Sequence, residues 1–408
     1  MTAPNVRITA LRTRFVRLPL AFSYQGGRSL VGARPMGAGG PTRSYVASAL
    51  HPRDPSGTAV QLSRASQFTG SLILFLETDA GVTGLGDVIV KGGDLRAGRA
   101  AALFVDAFIA PALVGQSPFD VDKIMARLWG ITTHDSSVYA AGADVALHDL
   151  MGKLLGVPLY QLLGGKTRDR VPLTWNVPAN RDVAVMVEQA RDAVDRGFRH
   201  VVKVKTGTPW DVEALVAIQQ AIGPDIPLRP DDNGAFLAGD SIKRFRAARD
   251  RGVVYECLEQ PVPNDDLPGL RRVGDALGER VMYHVGYVQP SVASELLRHR
   301  YADVVSVPVF RHGLRQAAQM VRAFELVGIG CAMGSGLESS IGATAAIHAA
   351  TALENYCYPI DTLGAHWFAE DVVTDTSHFG IGYATAPEKP GLGIELDPTQ
   401  LDRLSVEA

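Results

Sequence analysis

Two lysines and two carboxylates lie at the ends of three short apolar stretches of this sequence: Lys203 and Lys205 in HVVKVK, Asp231 in IPLRPD, and Glu259 in VVYECLEQP. Asp231 follows Lys205 by 26 residues and Glu259 follows Asp231 by 28, which matches one strand plus one crossover helix. Neighbouring parallel strands of a β/α barrel end on the same rim, where loops vary without disturbing the packed strands. We therefore expect these four side chains to converge on that rim.

These residue types suit the removal of a proton from carbon. A carbon-bound hydrogen next to a carboxylate is very weakly acidic, so its removal near neutral pH requires a base of lowered pKa and a cation that holds the developing negative charge. Asp231 and Glu259 offer hard oxygen donors suited to Mg²⁺ or Mn²⁺. Lys203 and Lys205 share a strand face, so the charge of Lys203 is expected to lower the pKa of Lys205. One lysine then acts as the base while the other directs the substrate carboxylate.

Composition excludes several classes of protein. The 408 residues are 46% hydrophobic and 20% charged, which is typical of a globular protein with a large core. A net charge of −3 without basic clusters argues against a nucleic-acid partner. The sequence contains no run of 18 apolar residues, no signal-peptide pattern and no C-x-x-C motif among its three cysteines. We therefore expect a cytoplasmic protein that has no membrane partner.

The chain divides into three parts. Residues 1–165 combine β patterns, including a hairpin turned at Asp79-Ala80-Gly81, with helical patterns. They contain a polar, glycine- and proline-rich segment at 22–69, for which two interpretations stand: a lid, or a disordered surface insertion. Residues 166–357 alternate strand and helix patterns over seven or eight units, which predicts a closed parallel α/β sheet. Residues 358–408 are expected to pack back against the amino-terminal β unit.

The motif order resembles the enolase superfamily, on the mandelate racemase and muconate lactonising enzyme branch. The runs that carry the resemblance are K-V-K-T-G, D-D-N-G, L-E-Q-P and G-S-G-L-E-S-S-I-G, with A-L-H-D-L-M-G-K and G-V-T-G-L-G-D before them. The last of the four barrel runs is closest to the muconate cycloisomerase-like subgroup. The resemblance implies a modified TIM (β/α) barrel with an α+β capping domain, a small-molecule carboxylate substrate, a bound divalent metal and a homo-oligomer.

The resemblance also assigns roles to particular residues. It makes Lys205 the acid/base residue, Lys203 its partner, and Asp231 and Glu259 the first two metal ligands. Glu338, in the L-E-S-S-I-G run, becomes a catalytic candidate from the last strand. Its alternative is a carboxylate that only favours the start of a helix.

One departure from the family pattern falls on the third metal ligand. His284 lies where the family carries a third carboxylate, so the ligand group loses one negative charge. That change leaves three roles open for His284: a metal ligand, an acid/base group, or a packed side chain. It also leaves open whether the cofactor is Mg²⁺ or Mn²⁺, a softer transition metal, or none.

A second departure removes the usual second base. Pro308 lies where the family's next strand carries a lysine or an aspartate, which favours chemistry on one face of the substrate. We predict a lyase or isomerase that works by syn elimination, as in a dehydratase, or by cycloisomerisation, with Asn233 and the loop residue His312 in contact with the substrate. Two alternatives stand: a racemase or epimerase with a replaced second base such as His312, and a metal-independent or non-catalytic binding protein.

Overall fold

The computed structural model describes residues 5–24, 66–90, 93–132, 136–284 and 290–406. The lid predicted at 22–69 falls mostly on residues 25–65, which lie outside that description. The strands of the described residues are β1 (Ile8–Tyr24), β2 (Ser66–Thr78), β3 (Thr83–Val90), β4 (Val171–Pro172), β5 (Trp175–Val177), β6 (Val202–Lys205), β7 (Leu228–Asp231), β8 (Leu258–Glu259), β9 (Val281–His284), β10 (Val304–Ser306), β11 (Gly330–Ala332) and β12 (Tyr383–Ala384).

The described helices fall between these strands and after them. They are α1 (Leu95–Phe104), α2 (Ala110–Leu113), α3 (Val121–Ile131), α4 (Ser137–Leu155), α5 (Leu159–Leu162), α6 (Val183–Arg196), α7 (Asp211–Ile222), α8 (Ala238–Arg249), α9 (Leu267–Leu277), α10 (Pro290–His299), α11 (Val309–Leu326), α12 (Ser340–Ala352) and α13 (Pro398–Leu404). A π-helical turn at Val105–Ile109 joins α1 to α2. None of the helices in the described ranges combines the length and apolar character that a membrane crossing requires.

The amino-terminal unit is built on an antiparallel sheet in the order β1-β2-β3. The predicted hairpin at Asp79-Ala80-Gly81 is confirmed, because β2 pairs with β3 from Glu77↔Thr83 outward. Helix α4 packs on β3 through a very close approach, since a Cβ on Gly86 would lie 2.2 Å from the carbonyl oxygen of Gly142. Only glycine fits at that crossing.

Seven parallel strands form the second sheet of the described residues, in the order β5-β6-β7-β8-β9-β10-β11. Local caps set the crossover helices: α6 begins after Asp182, whose carboxylate accepts a hydrogen bond from the Ala184 N–H, and ends at Gly197 with φ 115°. The predicted α/β barrel with a capping unit is therefore confirmed. Parallel bridges from Cys331 to Tyr356 and from Leu173 to Ile360 close the gap between the two edge strands.

The carboxyl-terminal segment returns to the capping sheet. Antiparallel bridges join Val16 to Ser405 and Leu20 to Phe368, so β1 contacts the last part of the chain. The domain boundaries at 165 and 357 stay predictions. Cys257 and Cys331 are buried free thiols, while Cys357 is an exposed one.

Candidate active site

The residues predicted from strand ends lie together at the carboxyl ends of four adjacent strands: Lys203 and Lys205 on β6, Asp231 on β7, Glu259 on β8 and His284 on β9. Register explains the convergence, since Lys205 pairs with Asp231 and Asp231 pairs with Glu259. Side chains at paired positions of adjacent strands share a face of the sheet. The sheet therefore brings two ammonium groups, two carboxylates and one imidazole to a single place.

Lys203 is buried at the centre of this group. Its Nζ lies 2.7 Å from Glu259 Oε1, 2.8 Å from Asp361 Oδ2 and 3.1 Å from Asp231 Oδ2. Three carboxylate oxygens therefore surround one ammonium group. The sequence predicted that one of the two lysines directs the substrate carboxylate, and that role stays a prediction.

Lys205 belongs to the same group and is less buried, with 8% of the residue exposed against 1% for Lys203. Its Nζ donates to Asp231 Oδ2 at 2.6 Å and to Asn233 Oδ1 at 3.4 Å. Asn233 is fixed in turn, because its backbone N–H donates to Asp231 Oδ1 at 3.0 Å and its φ is 46°. Asp231 thus positions both the lysine and the asparagine that the sequence predicted at this site.

His284 joins the group through its ring. Its Nδ1 lies 2.5 Å from Glu259 Oε1 and 4.0 Å from Asp231 Oδ2. Its backbone N–H donates to Gln260 Oε1 at 2.8 Å, and Gln260 is a buried residue with φ 39°. A non-glycine residue in that left-handed region is uncommon. The strained turn after β8 therefore holds the end of β9 and orients the imidazole.

Burial and the neighbouring charges shift the pKa values of the site residues in opposite directions. Burial alone lowers the pKa of Lys203, but Asp361, Glu259 and Asp231 raise it well above its usual range. Burial raises the pKa of Asp231, yet Lys205 and Lys203 bring it well below its ordinary value. For Glu259, burial and Asp231 raise the pKa, and Lys203 and His284 outweigh them and lower it. At neutral pH, Lys203 is a cation and both carboxylates are anions.

Asp361 is a site residue that the sequence reasoning missed. It follows Ile360, whose bridge to Leu173 closes the barrel, and its backbone N–H donates to the Met333 carbonyl. Its Oδ1 is buried and has no hydrogen-bond partner among the described residues. The only sequence signal is its position after the short apolar run Y-P-I, which is too brief to predict as a strand.

Glu338 is placed in the loop before α12. Its Oε2 accepts hydrogen bonds from the Gly336 N–H at 2.8 Å and from Ser335 Oγ at 2.9 Å. Burial raises the pKa of Glu338 to about 7, although those hydrogen bonds act in the opposite direction. The catalytic role predicted for Glu338 stays a prediction.

His312 lies in a helix, and the prediction of a loop residue was wrong. Helix α11 begins at Val309 and passes through a kink at Gly313, where φ is 66°. The His312 ring is buried, its Nδ1 lies 3.3 Å from Gln316 Oε1, and burial lowers its pKa to about 4. The imidazole is therefore neutral near pH 7, and its predicted substrate contact stays untested.

Pro308 precedes α11 and offers no group that could exchange a proton. Next to it, β10 ends at Ser306, whose Oγ accepts a hydrogen bond from the Gly334 N–H at 3.1 Å. A Cβ on Gly334 would lie 3.1 Å from that Oγ and 3.7 Å from the His284 ring. Glycine at 334 therefore keeps the space beside His284 open.

The ligand set fits a divalent cation. Asp231, Glu259 and His284 each offer one ligand atom, and these atoms lie within 4.8 Å of one another. Glu259 Oε2 is buried and has no hydrogen-bond partner among the described residues. Two carboxylates and one imidazole are donors that Mn²⁺ and other first-row divalent metals accept, and Mg²⁺ accepts the carboxylates.

Fold and site together define a class of protein. A parallel barrel carries two lysines and two carboxylates on consecutive strand ends, and an α+β unit packs on it. Comparison with known families agrees with this class. Residues 185–400 match the family described as enolase C-terminal domain-like, and residues 44–164 match the mandelate racemase / muconate lactonizing enzyme N-terminal domain.

The chain belongs to the enolase superfamily, on its mandelate racemase and muconate lactonizing enzyme branch. It is 30% identical to muconate cycloisomerase 1 of Rhodococcus opacus, over 80% of this chain and 88% of that protein. It is also 30% identical to the L-Ala-D/L-Glu epimerase of Bacillus subtilis, over 79% of this chain and 88% of that protein. Both relatives are enzymes, and the chain is an enzyme of the same superfamily.

A solved structure supports the fold. The muconate lactonizing enzyme from Pseudomonas fluorescens, complexed with muconolactone, superposes with a TM-score of 0.82 at 23% identity and covers 99% of this chain and 100% of that one. The superposition includes both the capping unit and the barrel. This likeness accounts for the architecture, and the two curated relatives support isomerase or lyase chemistry of this superfamily.

Proposed function

We propose that this enzyme is a lyase or isomerase that removes the proton next to the carboxylate of a small carboxylic acid, with Lys205 as the base. The observation that carries the proposal is the position of Lys205 Nζ, held 2.6 Å from Asp231 Oδ2 at the carboxyl end of β6. Three carboxylates enclose Lys203, and Lys205 is the less buried of the two lysines, which favours Lys205 as the base.

Asp231, Glu259 and His284 are the residues that would hold a divalent cation, and Mg²⁺ and Mn²⁺ are our candidates. Such a cation, when bound, stabilises negative charge on carboxylate oxygens. Lys205 accepts the proton from carbon, and Asp231 stabilises the ammonium group that results. Asn233 holds Lys205 from a second side and is a candidate for contact with the substrate.

One-sided chemistry follows from the second departure in sequence. Proton transfer on both faces of a carbon requires a second acid/base group, and Pro308 supplies none. In a syn elimination, Lys205 takes the proton, the C–H electron pair forms the new double bond, and the leaving group departs from the same face with a proton that Lys205 can return. In cycloisomerisation, an oxygen of the substrate forms a C–O bond to one carbon of a double bond, and the π electron pair forms a C–H bond at the neighbouring carbon with a proton from protonated Lys205. In the reverse direction, Lys205 removes that proton, the C–H electron pair forms the double bond, and the C–O bond breaks with its electron pair left on oxygen.

An epimerase is the second candidate, favoured by the 30% identity to the Bacillus subtilis epimerase. It requires a proton donor opposite Lys205. Burial lowers the pKa of His312 to about 4, which makes that side chain a poor donor near pH 7. The stereochemistry of the product separates the two candidates, because an epimerase inverts the carbon and a one-base enzyme does not.

Solvent-deuterium exchange tests the proposal. Small carboxylic acids with a hydrogen on the adjacent carbon are incubated in D₂O, and loss of that hydrogen is followed by NMR. Lys205→Met is expected to slow exchange by about 10³-fold, in the range typical of a lost general base. The control is Lys153→Met, which also removes a lysine paired with a buried aspartate, but on α4. Exchange by Lys205→Met at the unmodified rate would exclude this lysine as the base.

A further inference from the structure

Asp361 has no assigned role, yet it contacts the most buried cation of the site. We propose that Asp361 is a positioning residue: it holds the Lys203 ammonium group and thereby sets the affinity of Asp231, Glu259 and His284 for a divalent cation. This inference rests on the proposed function, because it concerns the cation that the same ligands would hold.

Asp361 is held firmly in its place. It is 2% exposed, and its position is set by the bridge of Ile360 to Leu173 and by the hydrogen bond from its N–H to the Met333 carbonyl at 3.2 Å. Its Oδ2 accepts from Lys203 Nζ at 2.8 Å. The carboxylate is therefore anchored by the barrel closure and does not depend on the loops above the site.

Lys203 and a divalent cation compete for the same oxygens. Lys203 Nζ contacts Glu259 Oε1 at 2.7 Å and Asp231 Oδ2 at 3.1 Å. The same two oxygens face His284 Nδ1, at 2.5 Å and 4.0 Å, and are the ones nearest to the imidazole ligand. Asp361 gives the ammonium group an acceptor outside the ligand group. When a cation takes the two oxygens, Lys203 keeps a buried ionic partner.

The charges of the site residues support the same role for Asp361. The carboxylates of Asp231, Glu259 and Asp361 all contact the Lys203 ammonium group, so three negative formal charges face this one positive charge. Without Asp361 the site loses one negative charge, and its attraction for a divalent cation decreases. Because His284 brings no negative charge, Asp361 supplies the third anion from a different part of the barrel.

Direct titration with Mn²⁺ tests this role. Isothermal titration calorimetry of the whole protein with MnCl₂ is expected to give a dissociation constant about 10- to 100-fold higher for Asp361→Asn, the range seen when residues behind metal ligands are lost. Asp361→Glu keeps the charge and is expected to stay within about threefold of the unmodified protein. Asp371→Asn is the control, because Asp371 is a half-buried carboxylate outside the site that accepts a hydrogen bond from Ser340 on α12.

Three results would overturn the proposal: an Asp361→Asn dissociation constant within about twofold of the unmodified value, equal weakening in the Asn and Glu variants, or no Mn²⁺ binding by the unmodified protein. If Asp361→Asn fails to fold, as judged by thermal unfolding, Lys203→Met replaces it. Removing the ammonium group is expected to tighten Mn²⁺ binding about tenfold, and unchanged or weaker binding contradicts the competition.

The deuterium-exchange assay separates this inference from the proposed function. An unmodified enzyme that exchanges deuterium, together with an Asp361→Asn variant of normal Mn²⁺ affinity, removes only the role of Asp361. Weakened Mn²⁺ binding in Asp361→Asn without exchange by the unmodified protein removes only the proposed reaction.

Discussion

In the proposed ligand group, His284 lies where the family's sequence pattern predicts a carboxylate. An imidazole in place of a carboxylate removes one negative charge and one hard oxygen donor. Mg²⁺ depends strongly on oxygen ligands, whereas Mn²⁺ and later first-row metals accept nitrogen readily. The short contact of His284 Nδ1 with Glu259 Oε1, at 2.5 Å, keeps the ring beside the two carboxylates.

Replacing that imidazole tests its role as a ligand. His284→Asp is expected to raise the affinity for Mg²⁺ relative to Mn²⁺ by about tenfold, because the third donor becomes a charged oxygen. Calorimetric titration with each metal gives the ratio of dissociation constants. His299→Asp, at an exposed position on α10, is the matched control. A ratio that does not change in His284→Asp would leave His284 without a ligand role.

Two acidic side chains from other parts of the chain accept hydrogen bonds from residues at the start of α12. Asp87 Oδ2, from β3, accepts from the Ser339 N–H at 2.8 Å and from Ser339 Oγ at 2.7 Å. Asp371 Oδ2, from the carboxyl-terminal segment, accepts from Ser340 Oγ at 2.6 Å. Burial raises the pKa of both acids, although the hydrogen bonds oppose that shift. The positive end of a helix favours carboxylates at this position.

Glu338, just before this helix, predicts a pH dependence of stability. Its pKa is raised by burial from 4.5 to about 7, so the folded state binds more protons than the unfolded state between these pH values. The free energy of unfolding therefore falls as pH rises through that interval, by about 3 kcal/mol at most. Glu338→Gln carries no ionisable group and is expected to lose less stability over the same interval.

Urea unfolding at pH 5 and pH 8 measures this difference. The unmodified protein, Glu338→Gln and the exposed control Glu354→Gln are compared at both pH values. Only Glu338→Gln is expected to show the smaller decrease. Identical decreases in all three proteins would contradict the raised pKa.

The kink in helix α11 depends on a side chain of helix α4. A Cβ on Gly313 would lie 2.4 Å from Asp144 Oδ2, so the kink fits only glycine, and the same oxygen accepts from the Arg315 N–H at 2.9 Å. The buried aspartate on α4 thus caps the second half of α11. Because the capping unit supplies this acceptor, the helix position of His312 depends on both parts of the chain.

At the scale of the whole molecule, one apolar core joins the two units. Val16 and Leu18 of the capping strand β1 belong to the same buried cluster as Val177 of the barrel, Trp367 and Leu401. The bridges of β1 to the carboxyl-terminal segment extend this contact. Both units are therefore expected to unfold together. The homo-oligomer expected from the family stays a prediction.

Leu18→Ala tests this shared core. Leu18 is fully buried, and replacing a buried leucine by alanine typically costs about 2–5 kcal/mol through lost transfer energy and the cavity left behind. A single, shifted unfolding transition in urea is expected. Leu103→Ala removes an exposed side chain on α1 and is expected to stay within about 0.5 kcal/mol. If Leu18→Ala lowers the free energy of unfolding by less than about 0.5 kcal/mol, β1 does not share the barrel core.

Most of the site could be predicted because its residues end consecutive strands. Lys205, Asp231, Glu259 and His284 each terminate a short apolar stretch, and alternation between strand and helix periods is a local property of sequence. Local patterns failed at the start of α11. V-F-R-H-G has no strong helix signal, and its conformation depends on the packing of Gly313 against Asp144.

The sequence by itself therefore determined the barrel and the strand ends that carry the site, since periodicity and strand order follow from neighbouring residues. Only the tertiary structure decided that Asp361 contacts Lys203 and that Lys203 is enclosed by carboxylates. Asp361 lies 158 positions from Lys203 along the chain. Their contact requires the last segment to close the barrel beside β5, and the geometry of that closure depends on packing across the whole sheet.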